Sequence, residues 1–391
     1  MNATALHPLY SDFNVANRIL LSGHSHQAWP NVAKQGLIDC YNDAAKEVDD
    51  KWAAAFDKAN IVSNFYRTLL DEPNGQITLG ASTHELILRF LSDLNWFKQT
   101  PSRPLRIVTT DGEFHSMRRQ LDRLKSLHVD IEVVPTAPAD TLAERLIEKI
   151  NRQTDAVMLS AVFFATSEIF REVGDVAKAA KSLDIPCLID VYHALNVIPF
   201  SIYDWQIESA FIVGGGYKYC QAGEGNCFMR IPADYNGSPI ITGWFAEFDA
   251  LDQAPGEVGY GQGQSAFAGS TYDPASHYRA AAVFDFFEQQ GLDANTLSVI
   301  NRRQISMLWQ GIEAMGLPTS VLHLPSHCIE RNAGFLSLTT KNANEWVKQL
   351  AVHNIKTDSR GDQLRLGPAP YVSDEQLAHA LNVIEHIAQS V

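Results

Sequence analysis

Short apolar runs alternate with amphipathic segments along most of this 391-residue chain. The segments between the runs repeat their apolar residues at helical spacing, from about His84 to Leu94 for example. Strands that alternate with helices in this way form a parallel sheet with crossover helices. The predicted strands are 77–80, 106–109, 131–134, 156–161, 187–189, 210–213 and 227–231. The sequence therefore predicts an α/β fold with a mainly parallel sheet.

The chain is too long for one simple core, and its pattern changes along its length. One long amphipathic helix is predicted near the amino terminus, from Asp39 to Asn64, and a helix from Pro274 to Gln290 leads out of the sheet region. Beyond about Leu292 the pattern is that of a smaller α+β domain, with strands near 333–338 and 363–366 and a helix from 373. We predict an arm and part of the small domain in 1–50, a large domain in 51–290 and the rest of the small domain in 291–391.

Charge and cysteine content exclude several classes of protein. The net charge of -14 argues against a nucleic-acid or anionic-membrane partner, because both require a basic face. Five scattered cysteines without a CxxC pair indicate neither a disulfide framework nor a metal site. The sequence has no signal-peptide pattern and no apolar run of about 18 residues. We expect a soluble, cytoplasmic protein without a metal ion.

Lys218 lies in the segment IVGGGYKYCQAGEGNCFMRI, in a glycine-bracketed turn between two apolar runs. Glycines there let the backbone turn sharply and approach a ligand closely. The primary amine could form a Schiff base with a carbonyl cofactor such as pyridoxal phosphate. The alternative is a solvated surface lysine, which is the commoner role of a lysine considered alone.

Asp190 ends a short apolar run in IPCLIDVYHALNVIPF, at the carboxyl end of a predicted buried strand. Ligands of open α/β sheets bind at that edge. A carboxylate there can pair with a protonated pyridine nitrogen and keep the ring an electron sink, and His193 could contact the ring or orient Asp190. The alternative is a turn cap at Asp190 and an ordinary satisfied histidine.

Together, DVYHA and GGGYKYCQAGEGNCF resemble the class V aminotransferase superfamily of pyridoxal-phosphate-dependent enzymes, and within it kynureninase most of all. The resemblance extends from about Leu20 to the carboxyl end. It implies the aspartate-aminotransferase-like fold, with a seven-stranded-type sheet in the large domain and a smaller α+β domain. It also implies the cofactor pyridoxal 5′-phosphate, a small amino-acid substrate and a homodimer with shared active sites.

A phosphate site is predicted at GASTHELI, where Ser82 and Thr83 lie between a strand and a helix. Backbone N–H groups and the helix dipole favour an anion there, although a simple helix cap by Thr83 with Glu85 in the first turn explains the same residues. The resemblance implies further contacts with the cofactor phosphate, from this chain or its dimer partner, at Tyr217, Trp244, Ser270 and Thr271.

The remaining candidate residues contact the cofactor ring or the substrate. Phe114 follows a strand and could stack on the pyridine, with His115 as the alternative, and the resemblance implies Ser160 near the ring oxygen. A planar guanidinium binds a carboxylate bidentately, and Arg365 in TDSRGDQLRLGPAPY resembles the arginine that does so in the family, with Arg360 as the less favoured candidate. The segment LLSGHSHQAWP resembles a substrate-side loop and supplies three more candidates, His24, Ser25 and His26.

By resemblance, the chain hydrolyses the Cβ–Cγ bond of a kynurenine-type substrate, with Lys218, Tyr217 and Asp190 as catalytic residues. FFATSEIF after Ser160 and FAEF after Trp244 depart from the family pattern. Transamination, β-elimination and racemisation therefore stay open as alternatives. Cysteine desulfurase is disfavoured, because 357–371 contains no cysteine. The non-enzymatic alternative is a catalytically inactive regulator that binds the cofactor.

Overall fold

The computed structural model describes residues 2–94, 103–251, 258–259 and 261–389. Its largest sheet has seven strands in the order β2-β8-β7-β6-β5-β3-β4. All neighbouring pairs are parallel except those that β8 makes with β2 and β7. The strands are β2 (Gln76–Gly80), β3 (Leu105–Thr110), β4 (Val129–Val134), β5 (Ala156–Ser160), β6 (Cys187–Asp190), β7 (Phe211–Gly214) and β8 (Cys227–Ile231). The predicted fold, an α/β fold with a mainly parallel sheet, is confirmed.

The central strands are mostly apolar because helices and loops cover both faces of the sheet. Every residue of β5, β6, β7 and β8 is buried. The described α-helices are Ala3–Leu6, Val32–Glu47, Trp52–Leu69, Thr83–Ser92, His115–Leu124, Leu142–Lys149, Val173–Lys181, Ala275–Gln290, Ala294–Ala314, Ala343–Val352 and Asp374–Gln389. None of these is both long and apolar enough to cross a membrane.

The single helix predicted from Asp39 to Asn64 is wrong, because the structure has two helices in that region. Val32–Glu47 ends at Val48, whose φ of 51° is left-handed, and Trp52–Leu69 begins four residues later. Both helices pack against Ala275–Gln290. Two helices therefore pack on the surface where the sequence predicts one.

The carboxyl-terminal region contains a three-stranded antiparallel sheet in the order β11-β12-β9. Its strands are β9 (Leu336–Thr339), β11 (Asp358–Arg360) and β12 (Gln363–Leu366). Near the amino terminus, β1 (Ile19–Leu20) pairs in parallel with β10 (Ile355–Lys356). A segment near the amino terminus is therefore paired with one in the carboxyl-terminal region. The three predicted domain ranges stay a prediction.

The parallel topology determines where the site can form. The strands β3, β5, β6 and β7 run in one direction, so their carboxyl ends meet at one edge of the sheet. Ser160 and Asp190 are the last residues of β5 and β6, and Phe114 and Lys218 follow the ends of β3 and β7. Four separate stretches of sequence are thereby brought to one place.

Arg230 on β8 connects the sheet to the turn that follows helix Trp52–Leu69 through a buried ion pair with Glu72. Its side chain is 2% exposed and donates to Glu72 from Nε (2.7 Å) and Nη2 (2.6 Å). Nη1 donates to the carbonyl oxygens of Glu208 and Ala210. Removing the Glu72 carboxylate would leave a buried guanidinium without its counter-ion.

We predict that Glu72→Ala lowers the free energy of unfolding by about 3–5 kcal/mol, because one partner of a buried pair stays uncompensated. Urea denaturation followed by circular dichroism measures the loss. The matched control is Asp374→Ala, which breaks an exposed ion pair with Arg303 and should cost no more than about 1 kcal/mol. Equal losses in the two variants would contradict the prediction.

Candidate active site

A cavity of about 230 Å³ opens at the carboxyl edge of the seven-stranded sheet. Eight of the residues predicted from sequence line it, and all eight lie at the carboxyl ends of strands or in the loops and helix starts that follow them. The lining residues are Ala81, Ser82, Thr83, Phe114, Ser116, Ser160, Val162, Phe164, Asp190, Tyr192, His193, Tyr217, Lys218, Glu224, Gly225 and Cys227. The structure therefore brings together most of the predicted cofactor-binding residues, whose roles stay predictions.

Lys218 is a buried amine, with only 4% of the residue exposed. Its Nζ lies 2.6 Å from His193 Nε2 and within 5.1 Å of the centroids of the Phe114 and Tyr192 rings. Burial lowers the pKa of Lys218 from 10.5 to about 7, the Asp190 carboxylate opposes this shift, and the Arg365 guanidinium adds to it. The amine is therefore substantially neutral near pH 7, the state in which it can act as a nucleophile or accept a proton.

Asp190 is 9% exposed and ends β6 inside the cavity. Its Oδ1 accepts a hydrogen bond from the Tyr192 backbone N–H at 2.8 Å. Burial raises the pKa of Asp190, while this hydrogen bond and the Lys218 ammonium lower it. A carboxylate with this combination of burial and limited hydrogen bonding favours a cationic or N–H partner in the cavity.

At the predicted phosphate end, helix Thr83–Ser92 begins at the cavity with Ser82 as its N-cap. Ser82 Oγ accepts from the Glu85 N–H at 3.2 Å, and Glu85 Oε2 accepts from the Ala81 N–H at 2.9 Å, which is a capping box shifted by one residue. The sequence alternative of a cap at Thr83 is therefore wrong in its register, since Ser82 is the capping residue. Ser82 and Thr83 nevertheless line the cavity, so the helix start faces a possible anion.

Three residues predicted to contact phosphate lie outside the cavity lining. Trp244 is 42% exposed, and its Nε1 donates to Thr271 Oγ1 at 3.2 Å. Ser270 and Thr271 are likewise exposed in the single chain. Their prediction depended on a neighbouring subunit, and it stays a prediction.

Aromatic rings form one wall of the cavity. Phe114 and Phe164 both line it and meet edge to face, with centroids 5.3 Å apart and an interplanar angle of 84°. His115 does not line the cavity but meets the Phe164 ring at 5.1 Å. Phe114, the preferred stacking candidate of the sequence, is thus the one that faces the cavity.

Glu113 is a buried carboxyl group that the sequence reasoning missed. Its oxygens accept hydrogen bonds from Thr110 Oγ1 and Ser160 Oγ, both at 2.6 Å. Burial, with a smaller contribution from the nearby Asp190 charge, raises the pKa of Glu113 to about 7 despite these hydrogen bonds. Its place directly before Phe114 and just after β3 is a signal that could have identified it, because carboxylates at strand ends of such sheets are candidates for function.

Arg365 is buried and does not itself line the cavity. Its guanidinium contacts Asp358 and Phe335, and it reaches the cavity wall through a hydrogen bond to the carbonyl oxygen of Phe164. His24 Nε2 lies 2.7 Å from Asp358 Oδ1, so His24 touches the partner of Arg365 and does not line the cavity. Arg360 is more exposed and donates to the Ser359 carbonyl oxygen.

Ser25 and His26 lie on the outer side of the same loop. Ser25 Oγ lies 3.2 Å from His26 Nδ1. The His26 ring stacks on Tyr217 with centroids 4.8 Å apart, and His26 Nε2 lies 3.3 Å from Glu224 Oε1. Tyr217 and Glu224 line the cavity, so His26 is placed beside its mouth.

Asp358 was also missed, although the sequence contains a signal for it. Asp358 and Arg365 are directly opposite in the β11–β12 pair, and Gly361 turns the chain between them with φ of 55°. A hairpin centred on this glycine would have predicted the pairing. Among the described residues, no group of three or more His, Cys, Asp or Glu could hold a metal ion.

No protein-family model matches the chain. The uncharacterized aminotransferase YcbU of Bacillus subtilis (strain 168) is 18% identical over 93% of each chain. A kynureninase of Xanthomonas campestris pv. campestris (strain B100) is 27% identical to this chain. The matched region covers 44% of this chain and 42% of the kynureninase. The cystine C–S lyase C-DES, solved with glycine covalently linked to its pyridoxal phosphate cofactor, superposes with a TM-score of 0.82 at 16% identity over 97% of this chain and 98% of C-DES.

These likenesses, together with the fold and the site, place the chain in the class V aminotransferase superfamily of pyridoxal-phosphate-dependent enzymes. The superfamily predicted from the sequence, and with it the cofactor pyridoxal 5′-phosphate, is confirmed. The likeness to C-DES shows the shared fold, and the match to kynureninase covers less than half of either chain.

The cavity residues fit this cofactor. Lys218 offers an amine for the aldehyde, Asp190 offers a carboxylate for the pyridine N–H, and the start of helix Thr83–Ser92 offers N–H groups for the phosphate. His193 Nδ1 is buried and has no hydrogen-bond partner among the described residues, so the cavity contains a polar atom still to be satisfied.

We predict that the apoprotein captures pyridoxal 5′-phosphate with a rate that rises with pH and has its midpoint near 7. The lysine reacts as the neutral amine, and burial lowers its pKa from 10.5 to about 7. Stopped-flow absorbance between about pH 5 and about pH 11 measures the rate of cofactor capture across both the lowered and the ordinary pKa of a lysine.

Asp190→Asn is the companion variant for this profile. The Asp190 charge raises the pKa of Lys218, so its removal should move the midpoint to lower pH. A midpoint near 10 in the wild-type protein would show that Lys218 is not desolvated, and an unchanged midpoint in Asp190→Asn would show that the two groups are not coupled.

Proposed function

We propose that this enzyme acts on an amino acid and hydrolyses the Cβ–Cγ bond of a kynurenine-type substrate. The observation that carries the proposal is the position of Lys218 and Asp190 in one cavity, walled by Phe114 and Phe164, with Arg365 bonded to the Phe164 carbonyl oxygen. An amine and a carboxylate in one aromatic-walled cavity, with a guanidinium bonded to the backbone of that wall, suit an amino acid with an aryl side chain. The kynureninase relative supports the same substrate class.

The cofactor, when bound, supplies an electron sink for negative charge at the substrate α-carbon. Arg365 would bind the α-carboxylate through N–H groups, and this contact would orient the α-carbon toward Lys218. Lys218, partly neutral near pH 7, would take the α-proton on Nζ. Asp190 would hold the pyridine proton in place, because its buried carboxylate favours an N–H partner.

Cleavage of the side chain would add water to the γ-carbonyl carbon and break the Cβ–Cγ bond, giving alanine and an anthranilate. Tyr217 is a candidate proton donor to the resulting carbon, because its ring lies beside Lys218 Nζ at 5.6 Å. Burial raises the pKa of Tyr217, so the phenol keeps its proton near neutral pH. The apolar rings of Phe114 and Phe164 would shield the aryl group from water.

A desulfurase reaction has little support from the cysteines. Cys227 lines the cavity, but burial raises the pKa of its thiol to about 12, and Cys220 is also buried. A thiol with a raised pKa is a poor nucleophile. Cys328, which is exposed, lies outside the cavity lining.

We predict that the cofactor-loaded protein converts kynurenine or 3-hydroxykynurenine to alanine and an anthranilate, measured by the fluorescence of the product. Lys218→Ala should lower this activity by at least about 1000-fold, since it removes both the attachment amine and the proton acceptor. Borohydride reduction followed by peptide mass spectrometry should place the cofactor on Lys218 in the wild-type protein only.

The same incubations distinguish the alternatives. Pyruvate with ammonia from cysteine derivatives would replace the proposal by a lyase, and conversion of the bound cofactor to its amine form would replace it by an aminotransferase. Cofactor attached to another lysine would contradict the role of Lys218 in the hydrolase, lyase and aminotransferase proposals alike. Failure to bind pyridoxal phosphate at all would contradict the assigned site.

We also propose that the active form is a cytoplasmic homodimer. The 3₁₀ helix Trp244–Ala250 exposes apolar side chains near Ser270 and Thr271, including Trp244 at 42% and Phe248 at 48% exposure. Their rings contact Phe245 and Phe56, so the patch is an ordered aromatic cluster. A cluster of this kind on a surface is typical of an interface. The cysteines described by the structure are all free, as a reducing compartment requires.

We predict that Phe248→Asp converts the dimer to a monomer, because the new carboxylate would be buried without a partner at the interface. Light scattering after size-exclusion chromatography measures the mass. Val352→Asp, a similarly apolar position that is 80% exposed on another helix, is the matched control and should leave the mass unchanged. A wild-type monomer would contradict the proposal directly.

A further inference from the structure

Arg365 already has a carboxylate partner inside the protein. Its Nε donates to Asp358 Oδ1 at 2.9 Å and its Nη2 donates to Asp358 Oδ2 at 2.5 Å. Nη1 donates to the Phe164 carbonyl oxygen at 2.7 Å. A guanidinium has five N–H groups, so two of them, one on Nη1 and one on Nη2, are left for a ligand.

Asp358 is in turn fixed by His24. His24 Nε2 lies 2.7 Å from Asp358 Oδ1, and the side chain of His24 is completely buried. Burial lowers the pKa of His24 to about 4, so the ring is neutral near pH 7. The contact with Asp358 assigns its one proton to Nε2.

The other side of the imidazole agrees with this assignment. His24 Nδ1 is buried without a hydrogen-bond partner among the described residues, and it faces the backbone of Gly367, where a Cβ would lie 2.3 Å away. An N–H group at Nδ1 would be a buried donor without an acceptor, so this nitrogen more favourably carries the lone pair of the neutral imidazole. The His24 ring also stacks on Phe335 at 4.5 Å, and the Arg365 guanidinium lies 5.6 Å from the same ring.

Backbone hydrogen bonds hold the His24 loop against the strand that carries Arg365. The Gly23 N–H donates to the Gly367 carbonyl oxygen at 2.8 Å, and the Gly367 N–H donates to the Leu21 carbonyl oxygen at 2.6 Å. His24 and Arg365 therefore belong to one rigid assembly.

We propose that Asp358 and His24 are positioning residues that fix the guanidinium of Arg365, so that its two remaining N–H groups hold a substrate α-carboxylate in one orientation. The proposal deepens the proposed function and rests on the role of Arg365 there. The sequence predicts that His24 contacts the substrate directly. The proposal instead gives His24 an indirect role, through Asp358.

Affinity alone is a poor test of this arrangement. Removing the Asp358 charge frees Arg365 to turn, which weakens a bidentate contact, but it also removes a negative charge that repels the substrate carboxylate. The first effect raises the dissociation constant of the substrate and the second lowers it, so the two changes can cancel. Orientation has no such cancellation, so the stereochemistry of proton removal is the appropriate readout.

Glycine is the probe, because it has two α-hydrogens and needs no side-chain pocket. In D₂O the α-C–H bond breaks, the proton passes to Lys218 Nζ and exchanges with solvent, and a deuteron returns to the carbon. The holoenzyme is incubated separately with (2R)- and (2S)-[2-²H]glycine, and NMR measures the loss of each remaining hydrogen. A fixed carboxylate presents only one of the two hydrogens to Lys218.

We expect the wild-type protein to exchange one hydrogen at least about 10-fold faster than the other, since small displacements change such rates by large factors. Asp358→Asn should reduce this ratio by at least about 3-fold, because an amide cannot accept from Nε and Nη2 together. Asp374→Asn, the same change in an exposed pair with Arg303, is the matched control. Equal thermal unfolding and cofactor content in the variants would exclude a folding defect.

Two variants separate the contribution of His24. His24→Phe keeps a ring against Phe335 without the N–H donor, and it should lower the ratio. His24→Gln keeps a donor and should retain more of the selectivity than His24→Phe. Wild-type selectivity in His24→Phe would remove His24 from the proposal.

The possible failures are distinguishable. Wild-type selectivity in Asp358→Asn would overturn the positioning proposal while leaving the proposed function intact. Absence of any exchange in the wild-type protein, or equal exchange of glycine and glycinamide with no change in Arg365→Ala, would instead contradict the role of Lys218 or Arg365 and overturn both.

Discussion

The burial of one lysine amine is the constraint on which the rest of the site depends. Removing an ammonium from water is costly, and the protein lowers the pKa of Lys218 to about 7 by doing so. Aromatic rings and His193 surround the amine, and Asp190 offsets part of the cost through its charge. These groups lie at the ends of β3, β6 and β7, so those strands must assemble before the amine is enclosed.

The carboxyl groups near this amine differ in their partners, and their acidity differs accordingly. Glu113 accepts hydrogen bonds from two hydroxyl groups and from the Ser160 backbone N–H but faces no cation among the described residues, and burial raises its pKa to about 7. Asp358 faces the Arg365 guanidinium and His24, and these contacts hold its pKa well below the usual range although burial acts in the opposite direction. The structure thus keeps one carboxyl group close to protonation and another firmly ionised within the same site.

Local sequence was sufficient to predict the chemistry of the strand ends. Lys218 and Asp190 each follow an apolar run, and the topology of a parallel sheet then brings them to one edge. The helix break at Val48 was not predictable, because both helices continue a similar apolar pattern and only their packing on Ala275–Gln290 separates them. Asp358 required the register of a hairpin, and the neighbours of His24 required contacts between residues more than 300 positions apart.

The pairing of β1 with β10 has a consequence for how the protein is made. Ile19 is opposite Ile355, and His24 meets Asp358, so these early residues can find their partners only after more than 300 further residues have been synthesised. Closing so long a loop costs entropy and slows folding. On the ribosome, the nascent chain can therefore form its central strands before the substrate side of the site exists, and enzyme activity can begin only after the segment around Asp358 has been translated.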